Sequence, residues 1–234
     1  MIHIIATSHG TNNQQGRQSI SLIRQELAAV LQESLPGKFL VHEAYVDVQE
    51  PALDRVVGNF SQQERLIIVP LLLSAGYHTE VDIKRAAALC PAQVCIAGAL
   101  GPSADLAKLQ RSRINQTGWD GRGDCLMAAA GSSRGDGRDA ALMQADVLSA
   151  LLARPVPHGF IADIEPRIAE LIGRLRPAVI SSYLLAEGHF QQKLKGLAQE
   201  GSCRLTAPLV TADDRQAARV VAQVALQRIE ENLD

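Results

Sequence analysis

Residues 66–73 read LIIVPLLL, a run of consecutive apolar side chains. A strand with one face in water alternates apolar and polar residues, whereas a continuous apolar run is typical of a strand buried on both faces of a parallel sheet. The run contains Pro70 and is far shorter than the roughly 20 residues that a membrane-spanning helix requires. We therefore interpret this run as an inner strand of a parallel sheet with both faces covered.

Outward from this run, short apolar segments alternate with longer amphipathic ones. The predicted strands are 2–7, 39–46, 65–72, 93–97, 125–130, 158–161, 178–183 and 204–207. The predicted helices include 15–33, 103–112, 138–153, 165–175 and 212–232. This alternation favours βαβ units and an α/β fold with mostly parallel sheets flanked by helices.

The chain also reads as two similar halves. A polar, glycine-containing stretch at 112–124, SRINQTGWDGRGD, interrupts the rhythm and predicts a linker. Glu50-Pro51 has a counterpart in Glu165-Pro166, and LLLSAG at 71–76 has one in LLAEG at 184–188. Such ordered similarity indicates duplication. We predict an N-terminal domain at 1–111, a linker at 112–124 and a C-terminal domain at 125–234.

The amino-acid composition excludes several kinds of protein. The chain has 234 residues, of which 47% are hydrophobic and 21% charged, which excludes intrinsic disorder. The net charge of −2 gives no electrostatic reason to expect binding to nucleic acid or to a membrane. Cys90, Cys95, Cys125 and Cys203 have no zinc-site spacing, so reduced thiols in a cytoplasmic protein are expected.

Two histidines follow predicted strands of the first half. His9 follows the first strand and His78 follows the third, where parallel α/β sheets bind ligands. The two could share a metal ion, or they could be unrelated loop residues. Asp47 and Glu50 follow the second strand and could add a ligand or accept a proton, although Glu50 could equally start a helix. Asp82 could orient His78 or cap a helix.

Two imidazoles with one carboxylate form a sparse ligand set. Imidazole suits iron, cobalt, nickel, copper and zinc, so the donors do not identify the metal. A site with few ligands suits a metal that must leave again, which favours metal transfer over a structural metal. A non-catalytic metal carrier remains an alternative, as does a metal-assisted hydrolase.

Several motifs together resemble the sirohydrochlorin chelatases. In the first half these are SHGTN at 8–12, AYVDVQEP at 44–51, PLLLSAGYHTEVDI at 70–83 and ALGP at 99–102. In the second half, AGSS at 130–133, EPR at 165–167, SYLLAEGHF at 182–190 and APL at 207–209 resemble the long two-domain, actinobacterial-type members. The resemblance covers nearly the whole chain and implies a duplicated type II chelatase fold.

The resemblance assigns roles to residues of the first half. It implies that His9 and His78 are the catalytic and metal-binding residues, with His9 also the base, and that Glu50 contacts the substrate. Asp47 stands where some members have a metal-associated glutamate, and its shorter side chain leaves its role as a ligand open. The macrocycle is expected to contact Leu73, Ser74, Ala75, Gly76 and Tyr77.

The second half departs from the motif. We align Gly131 with His9, Ala162 with Asp47 and Phe190 with His78, whereas His189 is displaced by one position and has no partner. The second half is therefore predicted to be a degenerate copy that walls the cleft, with one metal site in the first half.

The expected function is insertion of a divalent metal into sirohydrochlorin by a cytoplasmic lyase. Fe²⁺, which gives sirohaem, is the first choice, and Co²⁺, which gives a cobalamin precursor, is second. No cofactor beyond this metal substrate is implied. Lys84, Arg85 and Arg134 are candidates for holding the substrate carboxylates. Because one chain already carries both halves, we expect a monomer.

Overall fold

The structure is a computed structural model that describes residues 1–74 and 76–233, except for the side chains of residues 77–80. This part of the chain contains two four-stranded parallel sheets. The strands are β1 (Ile2–Ser8), β2 (Phe39–Tyr45), β3 (Arg65–Pro70), β4 (Gln93–Ile96), β5 (Cys125–Ala129), β6 (His158–Phe160), β7 (Val179–Tyr183) and β8 (Arg204–Leu205). The predicted α/β fold is confirmed.

Helices connect the strands and cover both sheets. They are α1 (Gln14–Ser34), α2 (Leu53–Val57), α3 (Tyr77–Leu89), α4 (Ala104–Gln116), α5 (Gly135–Leu152), α6 (Ile168–Leu175), α7 (His189–Glu200) and α8 (Arg215–Glu230). The predicted linker at 112–124 is wrong in its first part, because α4 continues to Gln116. Ile114 is buried in the core and supports this last turn.

The apolar run at 66–73 behaves as its composition predicts. Ile67 and Val69 belong to the core that also contains side chains of α1 and α8, whereas Leu66 and Ile68 belong to a second core with side chains of α2 and α3. Successive side chains of a strand point to opposite faces, so β3 contributes to both cores. It lies inside the sheet, whose order is β2-β1-β3-β4.

The second half repeats this topology, with the order β6-β5-β7-β8. Backbone hydrogen bonds at the strand ends show which residue of the second half corresponds to which residue of the first. The N–H of Val46 donates to the carbonyl of Ser8 at 2.8 Å, and the N–H of Ile161 donates to that of Ala129 at 2.9 Å. Ser8 and Ala129 are therefore equivalent.

The next hydrogen bond in each half corrects the predicted alignment. The N–H of Asp47 donates to the carbonyl of His9, and the N–H of Ala162 donates to that of Ala130. Ala162 is thus confirmed as the counterpart of Asp47, whereas the alignment of Gly131 with His9 is wrong. Gly131 instead corresponds to Gly10, and both have a positive φ, 104° and 87°. The counterpart of His9 is Ala130, which has no ligating group.

The two halves exchange their last helices. Helix α4 of the first half packs on α5 and β7 of the second, and α8 of the second half packs on α1 and β3 of the first. One hydrophobic core contains buried side chains from both halves. This exchange joins the carboxyl-end loops of the two sheets into one surface. Across the described residues, no helix is long and apolar enough to cross a membrane.

Candidate active site

A cavity of about 600 Å³ lies between the two halves at the carboxyl ends of β1, β3 and β7. This is the edge where parallel sheets commonly bind ligands. Its walls are formed by residues 8–13 and 184–192, together with Ile20, Val48, Leu71 and Leu72. The cavity therefore has one wall from each half of the chain.

His9 lies on the first wall with an exposed side chain, and its role as base and metal ligand stays a prediction. The adjoining backbone has little freedom, because a Cβ on Gly10 would lie 2.5 Å from the carbonyl oxygen of Asp47. The N–H of Thr11 donates to Oε1 of Gln49 at 2.8 Å, and Oδ1 of Asn13 accepts from Gly16 at the start of α1. The loop that presents the His9 imidazole is thus held by contacts at both ends.

Asp47 is exposed and lies next to the His9 backbone. Its Oδ1 accepts from the N–H of Val48 at 2.7 Å, so one carboxylate oxygen stabilises the local turn. Asp47 does not belong to the residues that line the cavity. Its role as a metal ligand stays a prediction.

Glu50 forms a hydrogen bond with the backbone just before α2, one of the two roles that the sequence allows for it. Its Oε2 accepts from the N–H of Ala52 at 2.8 Å, directly before α2. The equivalent Glu165 accepts in the same way from Arg167 at 3.2 Å, before α6. The glutamate of both Glu-Pro pairs therefore accepts from the N–H of the residue that directly precedes a helix. Glu50 is exposed and lies outside the cavity lining, and its contact with substrate stays a prediction.

The second histidine motif lies partly outside the described residues. Ala75 is outside them, as are the side chains of Tyr77 and His78, so the pairing of His78 with His9 stays a prediction. Within the described residues, no group of three or more His, Cys, Asp and Glu side chains is placed to hold a metal ion.

The remaining residues of the predicted macrocycle loop are half-buried and do not line the cavity. These are Leu73, Ser74 and Gly76. Leu73 packs against the core, and its carbonyl accepts from the Tyr183 hydroxyl at 3.5 Å. Burial raises the pKa of Tyr183, which keeps this hydroxyl a donor. Leu71 and Leu72, just before the predicted loop, line the cavity instead.

His189 lies on the opposite wall, a position that the sequence did not reveal. It is the first residue of α7, it is exposed, and its ring lies 5.8 Å from that of Phe190. The N–H of Leu100 donates to the carbonyl of Leu72 as that of Leu209 donates to that of Leu184, and Phe190 follows Leu184 by as many residues as His78 follows Leu72. Phe190 is therefore the counterpart of His78, as aligned. One position along a helix turns a side chain by about 100°, yet His189 still lines the cavity.

The cavity walls combine apolar side chains with few charges. Leu184, Leu185 and Phe190 contribute apolar surface from the second half. The acid on this wall, Glu187, is paired with Lys195 at 2.9 Å. The described lining contains no lysine or arginine.

The basic residues expected to hold substrate carboxylates lie elsewhere. Lys84, Arg85 and Arg134 do not line the cavity. Arg85 lies 3.2 Å from Asp82, and Arg134 lies 2.8 Å from Asp136. Arg17, which the sequence motifs did not single out, is exposed on α1 and donates to the carbonyl of Thr11 at 2.7 Å. Since Thr11 lines the cavity, Arg17 places a guanidinium near its rim.

Comparison with known proteins agrees with this architecture. The CbiX family model matches residues 3–117. SirB from Bacillus subtilis with Fe³⁺ has a TM-score of 0.78 at 19% identity, and the match covers 98% of this chain and 94% of that one. Sirohydrochlorin chelatase SirB from B. subtilis subspecies spizizenii, in complex with cobalt, has a TM-score of 0.73 at 17% identity with the same coverage.

A third structure matches nearly the whole chain as well. CbiX, described as the terminal enzyme of sirohaem biosynthesis in denitrifying bacteria, has a TM-score of 0.71 at 21% identity, with 99% of this chain and 100% of that one covered. No curated protein matches the chain. Residues 3–117 therefore match the CbiX family, and the whole chain has the two-half fold of solved structures that include the sirohydrochlorin chelatase SirB.

Proposed function

We propose that this protein inserts a divalent metal ion into sirohydrochlorin. The observation that carries the proposal is the cavity between the halves, which has apolar walls and an imidazole on each, His9 and His189. A flat tetrapyrrole has two apolar faces, and a cleft with two apolar walls covers both. The similar structures include a sirohydrochlorin chelatase with cobalt, which supports the same chemistry here.

Metal insertion is a proton and ligand exchange without oxidation or reduction. Two pyrrole N–H bonds break, and their protons pass through a base to solvent. Four metal–nitrogen bonds form, two with the lone pairs that the protons leave and two with the nitrogens that carry no proton, and the metal loses its water and protein ligands. A neutral imidazole accepts protons near neutral pH and also binds divalent metals. We assign to His9 the role of base and metal ligand, with His78 as second ligand. A site with few ligands releases the metal to the stronger macrocyclic donor.

The carboxylates of the substrate require cationic or N–H partners outside the apolar walls. Arg17 lies next to the lining residues Thr11 and Asn12, since its Nη2 donates to Oδ1 of Asn12 at 3.2 Å. Helix α7 begins in the cavity wall after Gly188, which has no side chain to cap the first N–H groups. Both features favour anions at the rim of the cavity.

We propose Fe²⁺ as the metal substrate, because the C-terminal motifs resemble the actinobacterial two-domain members, with Co²⁺ second. The neighbouring structures hold either metal, so they do not separate the two. A non-catalytic carrier that binds sirohydrochlorin and metal without insertion is the alternative, and measurement of turnover separates the two functions.

The test is anaerobic insertion into sirohydrochlorin, followed by the absorbance change with Fe²⁺, Co²⁺ and Ni²⁺ in parallel. His9→Ala and His78→Ala are expected to lose the enzyme-dependent rate. His42→Gln is the control, because His42 lies on β2 and does not line the cavity. An unaccelerated reaction with every metal, despite tight binding of sirohydrochlorin, would replace the enzyme by the carrier.

A further inference from the structure

Val48 has an unusual backbone conformation at the edge of the cavity. Its φ is +59°, and the N–H of Gln49 donates across it to the carbonyl of Asp47 at 2.6 Å. This is a γ-turn with positive φ at its centre, a strained form. Positive φ is costly for a β-branched residue, whose Cβ crowds the backbone. Such strain persists only where the surroundings impose it, and it gathers at functional sites.

Three contacts hold the strained turn. Oδ1 of Asp47 accepts from the N–H of Val48 at 2.7 Å, and the N–H of Asp47 donates to the carbonyl of His9 at 3.1 Å. On the other side, Oε1 of Gln49 accepts from the N–H of Thr11 at 2.8 Å. The turn is therefore tied at both ends to the loop that carries His9.

The internal copy shows that the fold does not require this strain. The N–H of Ile164 donates to the carbonyl of Ala162 at 2.8 Å, so the second half makes the same contact across Asp163. Asp163 is not among the described residues with positive φ. Aspartate tolerates positive φ better than valine does, yet the strained conformation occurs at the valine.

The conformation leaves an apolar side chain exposed where apolar residues are normally buried. The residue is 51% exposed, and it lines the cavity together with Leu71 and Leu72. An exposed isopropyl group gains free energy when an apolar surface covers it. Val48 is thus held in an unfavourable conformation beside the cavity with its apolar surface uncovered.

We propose that Val48 is a substrate-contact residue, whose isopropyl group packs against an apolar face of the tetrapyrrole at the side of the cavity that carries His9. The inference rests on the proposed function, because it names a contact of that same substrate. It predicts that Val48 contributes to the affinity for the macrocycle and not to the affinity for the metal.

The test uses two variants of the full chain. Val48→Gly removes the side chain and adopts the positive φ without strain, whereas Val48→Thr keeps the shape and replaces one methyl by a hydroxyl. The Kd for sirohydrochlorin, the Kd for Co²⁺ alone and the Tm are measured for each. Val41→Thr, on β2 and outside the cavity lining, makes the same atom exchange as a control.

We expect Val48→Gly to weaken sirohydrochlorin binding by about fivefold and Val48→Thr by about two- to threefold. The Kd for Co²⁺ and the Tm should not worsen in either variant, and Val41→Thr should bind sirohydrochlorin as the parent does. Unchanged sirohydrochlorin binding in Val48→Gly overturns the inference.

A second result also overturns it. An equal loss of sirohydrochlorin and Co²⁺ affinity would show that the turn only positions the loop of His9. If the parent itself binds no sirohydrochlorin, the proposed function fails and this inference fails with it. If instead the parent binds sirohydrochlorin and both Val48 variants bind it as tightly as the parent does, only the contact of Val48 is refuted.

Discussion

Replacing Arg113 should destabilise the junction of the two halves. This arginine of α4 is buried and donates from Nε and Nη2 to the carbonyl of Leu209, at 3.2 and 2.8 Å. Its Nε also donates to the carbonyl of Pro208 at 3.1 Å, and its Nη2 lies 2.8 Å from Asp214. One side chain of the first half thus satisfies two carbonyls of the second.

Arg228 of α8 makes the equivalent contact in the opposite direction. Its Nε donates to the carbonyl of Ala99 at 3.0 Å, and its Nη2 donates to the carbonyls of Leu100 at 3.4 Å and Pro102 at 3.3 Å. The N–H of Leu100 donates to Leu72 as that of Leu209 donates to Leu184, so the two acceptor loops occupy equivalent positions. The two arginines form a matched pair that differs in burial.

The expected costs follow from the number of buried carbonyls that lose their donor. Each buried polar group without a partner costs about 1–3 kcal/mol. Pro208 and Leu209 are both buried, so Arg113→Met should cost about 3 kcal/mol. Of the three residues whose carbonyls Arg228 contacts through Nε and Nη2, Leu100 is buried, whereas Ala99 and Pro102 are partly exposed. One buried carbonyl therefore loses its donor, so Arg228→Met should cost about 1.5 kcal/mol.

Calorimetric Tm values at pH 7.5 test the comparison. For a chain of this size 1 kcal/mol corresponds to about 2–4 °C, so Tm should fall by about 6–12 °C in Arg113→Met and about 3–6 °C in Arg228→Met. Arg122→Met is the control, because the Arg122 side chain is 91% exposed and its replacement should leave Tm unchanged. An equal or larger loss in Arg228→Met would refute the reasoning from buried carbonyls.

Two further predictions concern titratable groups away from the cavity. Burial lowers the pKa of His42, the neighbouring His3 at 3.0 Å lowers it further, and Glu64 opposes the shift. The folded state therefore favours neutral His42, and the resulting stability is present above pH 6.5 and is lost as the pH falls through the lower pKa that His42 has in the folded state. When the pH is lowered from 7.5 to 5.5, the Tm should therefore fall less in His42→Phe than in the parent. Burial also raises the pKa of Cys125 to about 12, so a thiol reagent at pH 8 should label it only after unfolding, and labelling of the native protein would contradict this.

The strands could be predicted from sequence because their signal is local. Burial on both faces demands a continuous apolar run, and β3 and β5 have it. The residue-by-residue alignment of the two halves is harder to predict from sequence, because SHGTN at 8–12 and AGSS at 130–133 share few residues. The glycines fix the alignment of these loops, because Gly10 and Gly131 both have a positive φ, a conformation that glycine adopts without strain.

The cavity could be predicted only on one side. His9 and the ends of the strands follow from the pattern of the first half. The position of His189 depends on the rotation of α7 and on how the halves pack, and neither is encoded in a local motif. The strained turn at Val48 also has no sequence signal, because positive φ is favoured by residues other than valine.

The exchange of helices explains how a degenerate second half can still serve the site. Ala130 replaces His9, so this half lacks the imidazole at the end of its first strand. Yet α4 and α8 each pack on the opposite half, and this holds the loop at 184–192 against the loop at 8–13. The wall that the second half contributes contains the apolar side chains of Leu184, Leu185 and Phe190. Among the described residues both walls of the cavity come from one chain, which is the physical basis for expecting a monomer.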